Sequence, residues 1–158
     1  MKPAGGGLLS SAGTWAPLLT AVTVLAVAVA VFTPQPAGVF WDDGVYLASA
    51  RSLAQGAGYR LGNLPGAPPA VHFPPLWPAV LALVWRAAPE FPANMNWFRL
   101  VNPLLAATGA GLACAYALRA LKLPPALAVL ASASFALMLP VLVLASVLFA
   151  EPFFFCVS

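Results

Sequence analysis

Charged residues are scarce in this chain. Only 7% of its 158 residues are Asp, Glu, Lys or Arg, whereas a soluble domain carries about 25%. Hydrophobic residues make up 62% of the chain and the mean hydropathy is +0.92, so too few polar side chains are present to cover a water-exposed globule. These values exclude an ordinary soluble protein and indicate an integral membrane protein.

Residues suited to metal, redox and nucleic-acid chemistry are also few. A single histidine excludes a multi-His zinc site within the chain. Cys114 and Cys156 lie in apolar runs without a CxxC motif, which predicts small hydrophobic side chains rather than ligands or a disulfide. The net charge of +3 is scattered with no basic run, so nucleic acid is not an expected partner.

Long apolar runs are abundant instead. Residues 15–32 form an uncharged run of 18, close to the roughly 20 residues that cross a bilayer and longer than the core of a cleaved signal peptide. Similar runs at 97–121 and 126–149 predict two further spans, the last of them kinked at Pro140. Another apolar run opens at 152 and ends with the chain after a few residues. We therefore expect an N-terminal fragment of a larger multi-spanning protein.

Two shorter helical segments lie in the loop after the first span. Residues 43–55 place apolar and polar side chains on opposite faces, with Asp42 or Asp43 as a candidate N-cap. Residues 76–88 are apolar but too short to cross a bilayer. Both segments predict helices in the membrane interface, the second of which is alternatively re-entrant.

The placement of basic residues orients the predicted spans. Two basic residues lie in the short turn 119–125, so the positive-inside rule places this turn and the N-terminal segment 1–14 in the cytoplasm. The loop 33–96 and Glu151 then face outward. The predicted fold is all-α, with polytopic transmembrane helices and interfacial juxtamembrane helices in a long first outer loop. The Ala/Pro-rich composition points to a bacterial plasma (inner) membrane.

The four acidic residues are unevenly placed. Asp42 and Asp43 are adjacent and follow the first span, whereas Glu90 and Glu151 stand alone. An acidic side chain at membrane depth is disfavoured by roughly 2.5–3.5 kcal/mol on insertion scales, so acids beside a membrane mark candidate functional sites. Simpler interpretations stay open: helix caps for an aspartate or Glu151, interfacial anchors for the arginines, and an ordinary loop residue at His72.

Four segments, taken in order, carry a family resemblance: WDDGVYLASARSLAQGAGY, HFPPLWPAVLALVWR, FRLVNPLLAATGAGLACAYALRAL and SVLFAEP. Over roughly residues 15–158 the chain resembles the GT-C glycosyltransferases, in particular their protein O-mannosyltransferase and aminoarabinose-transferase branch. It departs from the commonest family pattern in having Asp-Asp in place of Asp-Glu. It also has His72-Phe73 where some members carry Lys or Glu.

The resemblance implies an inverting enzyme that moves a sugar from a polyprenyl-phosphate donor to an acceptor hydroxyl on the outer face of the membrane. The acceptor would belong to a protein, a lipid or a glycan. The fragment alone is expected to be inactive. The site residues implied are Asp42 and Asp43 as catalytic carboxylates, Arg60, His72, Tyr46 and Glu151 for the donor phosphate or the acceptor, and Asp43 with His72 for a divalent Mg or Mn ion.

A non-enzymatic multi-pass membrane protein, such as a transporter segment or a structural subunit, is the alternative. Transporters place ionisable residues near the middle of their spans. The three predicted spans have none there, which disfavours transport. A structural subunit would not require an acidic pair within a Pro-rich loop.

Overall fold

The computed structural model describes residues 11–32 and 36–158. The predicted cytoplasmic segment 1–14 lies largely outside the described residues. Within them the chain is helical, and its β-structure is one isolated bridge between Arg60 and Pro69. The all-helical prediction is confirmed. The helices are α1 Ser11–Ala30, α2 Asp42–Ala54, α3 Leu76–Ala87, α4 Met95–Arg119, α5 Pro125–Ala136, α6 Leu139–Ser146 and α7 Glu151–Val157.

Helices α1 and α4 are long and apolar enough to cross a membrane. In α1 the buried side chains recur every four residues, at Ala16, Thr20, Val24 and Ala28, and this stripe faces the rest of the protein. The remaining surface of α1 leaves large apolar side chains exposed, and such a surface suits lipid better than water. These exposed side chains include Trp15, Leu18, Leu19, Val22 and Val29.

The predicted third span is interrupted in the structure. Helices α5 and α6 meet at an angle of 57°, and Pro140 lies in the first turn of α6 rather than inside a continuous helix. Proline lacks a backbone N–H and suits the first turn of a helix, where that donor is not needed. The disturbance predicted at Pro140 is present as a break between two helices, and the bent pair is apolar enough to form one broken span.

Helix α4 is the centre of the bundle and packs against α1, α5 and α7. Small residues allow its close approaches. A Cβ atom on Gly111 would lie 3.1 Å from the carbonyl oxygen of Pro17 in α1, and one on Gly109 would lie 2.6 Å from the Phe155 ring in α7. Glycine at these two positions thus lets neighbouring helices approach the α4 backbone.

Helices α2 and α3 pack on each other and on the N-terminal half of α4. Gly56 follows α2 with φ of 76°, and the Ala57 N–H donates to the Ser52 carbonyl oxygen at 2.9 Å, an arrangement that ends helices and favours glycine. A shared apolar core joins α2 and α3 to α4 and α7. Its largest members are Tyr46, Trp77, Trp85, Phe98 and Phe153.

Candidate functional site

A strained turn introduces the acidic pair. The Asp42 N–H donates to the Phe40 carbonyl oxygen at 2.7 Å, and Trp41 between them has φ 62° and ψ −55°. This is a γ-turn of the rare positive-φ type, which is unfavourable for a residue with a side chain. Such strain concentrates at functional sites. The turn leaves the Trp41 ring exposed and 5.7 Å, centroid to centroid, from the His72 ring.

The Asp43 side chain is hydrogen-bonded to the loop that precedes α2. Its side chain is 4% exposed, and its two carboxylate oxygens accept the backbone N–H groups of Gly38 at 2.7 Å and Phe40 at 3.2 Å. The prediction that Asp42 or Asp43 caps α2 is wrong, because Trp41 occupies the N-cap position and no side chain makes a cap bond there. Asp43 closes a loop instead of completing the first turn of a helix.

Asp42 and Glu151 act on the same tyrosine. Tyr46 lies one turn after Asp42 and is buried. The pKa of Tyr46 is raised to about 12, mainly by burial and then by the nearby negative charges of Asp42 and Glu151. Asp42 is half-buried and Glu151 is exposed at the start of α7. The structure therefore brings together three of the predicted site residues from two distant parts of the chain, around one neutral hydroxyl.

Aromatic rings lie beside Tyr46. The Phe73 ring lies 4.9 Å from that of Tyr46 and 4.7 Å from that of His72, centroid to centroid. The Tyr59 hydroxyl donates to the Phe73 carbonyl oxygen at 2.8 Å and fixes this part of the loop. Burial also raises the pKa of Tyr59. We call Asp42, Tyr46, Phe73 and Glu151 the acidic–aromatic surface.

The two predicted basic residues are placed differently. His72 is exposed and joins the acidic–aromatic surface through its ring contacts with Trp41 and Phe73. Arg60 is exposed and donates to the Ala67 carbonyl oxygen at 3.2 Å, within its own loop. Among the residues that the structure describes, no ion pair links Arg60 to an acidic side chain.

The predicted divalent-cation site at Asp43 and His72 stays a prediction. Both Asp43 oxygens already accept backbone N–H bonds. Within residues 11–32 and 36–158, no group of three or more His, Cys, Asp or Glu side chains comes together in a way that could hold a metal ion. No catalytic step is assigned to a metal.

Asn102 in α4 is a site-supporting residue that sequence reasoning missed. Its side chain is 1% exposed, and the two N–H bonds of its amide are shared among three backbone carbonyl oxygens around the connection from α6 to α7. The signal was present, because a carboxamide in an apolar helix normally has a specific partner. The accepting residues are Leu144, Val147 and Phe149.

Trp77 in α3 supports the same connection. Its indole N–H donates to the Leu148 carbonyl oxygen at 3.2 Å, and its ring lies 5.9 Å from that of Phe153. Together with Asn102, this bond fixes the chain immediately before Glu151. The position of Glu151 beside Tyr46 therefore depends on side chains from α3 and α4.

Neither family models, curated proteins nor solved structures match this chain. The chain's own features define its class. It is an all-helical protein in which two helices are long and apolar enough to cross a membrane, with an acidic–aromatic surface formed by α2, the following loop and the start of α7.

Proposed function

We propose that this protein is a membrane glycosyltransferase that moves a sugar from a polyprenyl-phosphate donor to an acceptor hydroxyl at the outer face of the membrane. One observation carries the proposal: the half-buried Asp42 lies one helical turn before Tyr46, whose ring is 4.9 Å from that of Phe73. Such a transfer uses three kinds of group: a carboxylate that accepts a proton, a neutral hydrogen-bond donor, and aromatic rings that pack on a sugar.

The reaction forms one bond and breaks one. The acceptor hydroxyl oxygen bonds to the anomeric carbon of the sugar, while the bond from that carbon to the donor phosphate oxygen breaks on the opposite side. The hydroxyl proton passes to a carboxylate, and the lipid phosphate leaves with the bonding electron pair. A positioned general base typically contributes about 10²–10⁴-fold to the rate.

Asp42 is the better general base of the acidic pair. The Asp43 oxygens hold the N–H groups of Gly38 and Phe40, so a proton or a substrate at Asp43 would displace a bond that the loop needs. Asp42 is only half-buried, and no hydrogen bond of its carboxylate occurs among the described residues. We assign proton transfer to Asp42 and maintenance of the loop to Asp43.

Tyr46 and Glu151 complete the site in complementary ways. The Tyr46 hydroxyl is protonated at physiological pH, as an ordinary tyrosine is, and we assign it a hydrogen bond to the substrates. Glu151 accepts hydrogen bonds from the acceptor. His72 lies at the edge of this surface beside Trp41, and we assign the donor phosphate to it, whereas Arg60 is engaged within its own loop.

The test is transfer by the complete gene product in membranes, with radiolabelled polyprenyl-phosphate sugars as donors. We expect Asp42→Asn to lower the transfer rate by at least about 10²-fold without lowering the amount of protein in the membrane. Glu90→Gln is the matched control, because Glu90 is an exposed acid outside this surface, and it should retain full activity. Unchanged transfer in the Asp42→Asn protein would refute the assigned role, and no transfer by the wild type with any donor would refute the proposed function.

A further inference from the structure

A groove with a volume of about 510 Å³ lies on the other side of α2. At 100° per residue, the α2 residues that line it, among them Gly44, Ala48 and Arg51, point away from the face that carries Asp42 and Tyr46. The opposite wall is formed by Trp85 and Phe91. The groove is therefore separate from the acidic–aromatic surface.

We propose that this groove binds a phosphate-bearing head group, with Arg51 as the anion-binding residue and the Trp85 and Phe91 rings as an apolar wall. Arg51 is the one charged side chain among the described residues that line the groove, and no carboxylate lines it there. The amides of Gln55 and Asn63 add neutral donors at the same place. An uncompensated guanidinium with nearby amides favours a phosphate, which it can bind through two parallel N–H bonds.

The geometry holds Arg51 in place. Its guanidinium carbon lies 5.5 Å from the centroid of the Trp85 ring, a cation–π contact that limits the conformations of the long side chain. Trp85 is itself fixed, since its indole N–H donates to the Leu47 carbonyl oxygen at 3.3 Å. A charged donor supported in this way loses less conformational freedom when it binds an anion.

The size of the groove and its apolar wall indicate a ligand that is larger than inorganic phosphate. The groove is within the range of about 300–1,000 Å³ usual for small-molecule sites. The Trp85 and Phe91 rings, 6.0 Å apart between centroids, offer a surface for a glycerol or sugar unit attached to the phosphate. Such a group belongs either to an anionic membrane lipid or to a water-soluble phosphate ester. This inference does not rest on the proposed transferase activity.

The experiment is native mass spectrometry of the full chain in a neutral detergent, titrated with phosphatidylglycerol and, separately, with zwitterionic phosphatidylcholine. Arg51→Gln removes the charge, and Ala48→Phe fills the groove while the charge is kept. Arg60→Gln is the matched control, because Arg60 is an exposed arginine outside the groove. A thermal unfolding curve for each variant shows whether its fold is retained.

We expect wild-type protein and Arg60→Gln to bind phosphatidylglycerol equally and in preference to phosphatidylcholine. Arg51→Gln should weaken binding at least about tenfold, as the loss of a charged hydrogen bond predicts. Ala48→Phe should weaken it as much, because its ring occupies the groove. Equal weakening by Arg51→Gln and Arg60→Gln, or no weakening by Ala48→Phe, would overturn the proposal. If Arg51→Gln does not fold, the binding measured for Ala48→Phe decides whether the proposal stands.

Inorganic phosphate distinguishes the two sources of the ligand. Competition by millimolar phosphate against phosphatidylglycerol would show that the phosphate group is recognised by itself and that a soluble ester can occupy the groove. Absence of competition, with binding still lost in Arg51→Gln, would assign the groove to a lipid. Equal binding of both lipids by wild type and Arg51→Gln would show acyl-chain contact only and would refute the site.

Discussion

Asp42 and Asp43 are adjacent in the sequence, but replacing each of them by asparagine should change the stability of the protein by different amounts. In Asp43→Asn one carboxylate oxygen becomes an amide nitrogen, so only one of the N–H groups of Gly38 and Phe40 keeps its acceptor. The remaining bond also loses its charge. In Asp42→Asn no hydrogen bond is lost among the described residues.

The magnitude follows from these contacts. A hydrogen bond to a charged group contributes about 1.5–3 kcal/mol. Gly38 and Phe40 lie in an exposed loop, so the released N–H can bind water and the loss falls near the lower end, about 1–2 kcal/mol. Both aspartates are in the first turn of α2, where loss of a negative charge costs about 0.3–1 kcal/mol in either variant. The expected difference between the variants is therefore about 1–2 kcal/mol.

The assay is chemical unfolding of both variants in the same detergent, followed by hydrogen exchange at the loop amides. Asp43→Asn should lower the free energy of unfolding more than Asp42→Asn does and should speed exchange at Gly38 and Phe40. Asp42→Asn should leave exchange at those two amides unchanged. Equal destabilisation of both variants, or faster exchange in Asp42→Asn alone, would refute the assignment of Asp43 to the loop.

Three further outcomes are expected. Ultraviolet titration of the wild type, with Tyr46→Phe as the reference, should give Tyr46 a pKa of about 12. Asp42→Asn should lower this pKa, since loss of a nearby negative charge favours the phenolate. An unchanged pKa would contradict the electrostatic effect of Asp42 on Tyr46. Asn102→Leu leaves buried carbonyl oxygens without their donor and should lower the free energy of unfolding by about 1–3 kcal/mol, so an unaltered unfolding midpoint would contradict its role. Gly109→Ala places a Cβ 2.6 Å from Phe155 and should destabilise the protein by about 1–3 kcal/mol in the same assay; a gain in stability would show that α7 moves freely.

The helices were largely predictable because their signals are local. The long runs at 15–32 and 97–121 correspond to α1 and α4, and the short apolar run at 76–88 corresponds to α3. The break between α5 and α6 was predicted only as a kink at Pro140. Pro140 signals a disturbance of the helix, but apolar residues continue on both sides, so hydrophobicity alone does not distinguish a kink from two separate helices.

The acidic residues of the candidate site stand out in the sequence, but the contacts that each of them makes do not. Two adjacent carboxylates after an apolar run identify Asp42 and Asp43 as unusual. The role of Asp43 depends on backbone N–H groups at Gly38 and Phe40, and their positions depend on the positive φ of Trp41. No residue pattern predicts that conformation, because positive φ is rare for tryptophan.

The connection between α6 and α7 has a consequence for the chemistry. Its carbonyl oxygens accept hydrogen bonds from Asn102 of α4 and Trp77 of α3, so its conformation is imposed from outside rather than by a ladder of its own. The distance between Glu151 and Asp42 therefore depends on how α3 packs against α4. A ligand that moves Glu151 relative to Tyr46 would change the Tyr46 pKa, because the Glu151 charge contributes to it, and an ultraviolet titration at high pH would report that movement.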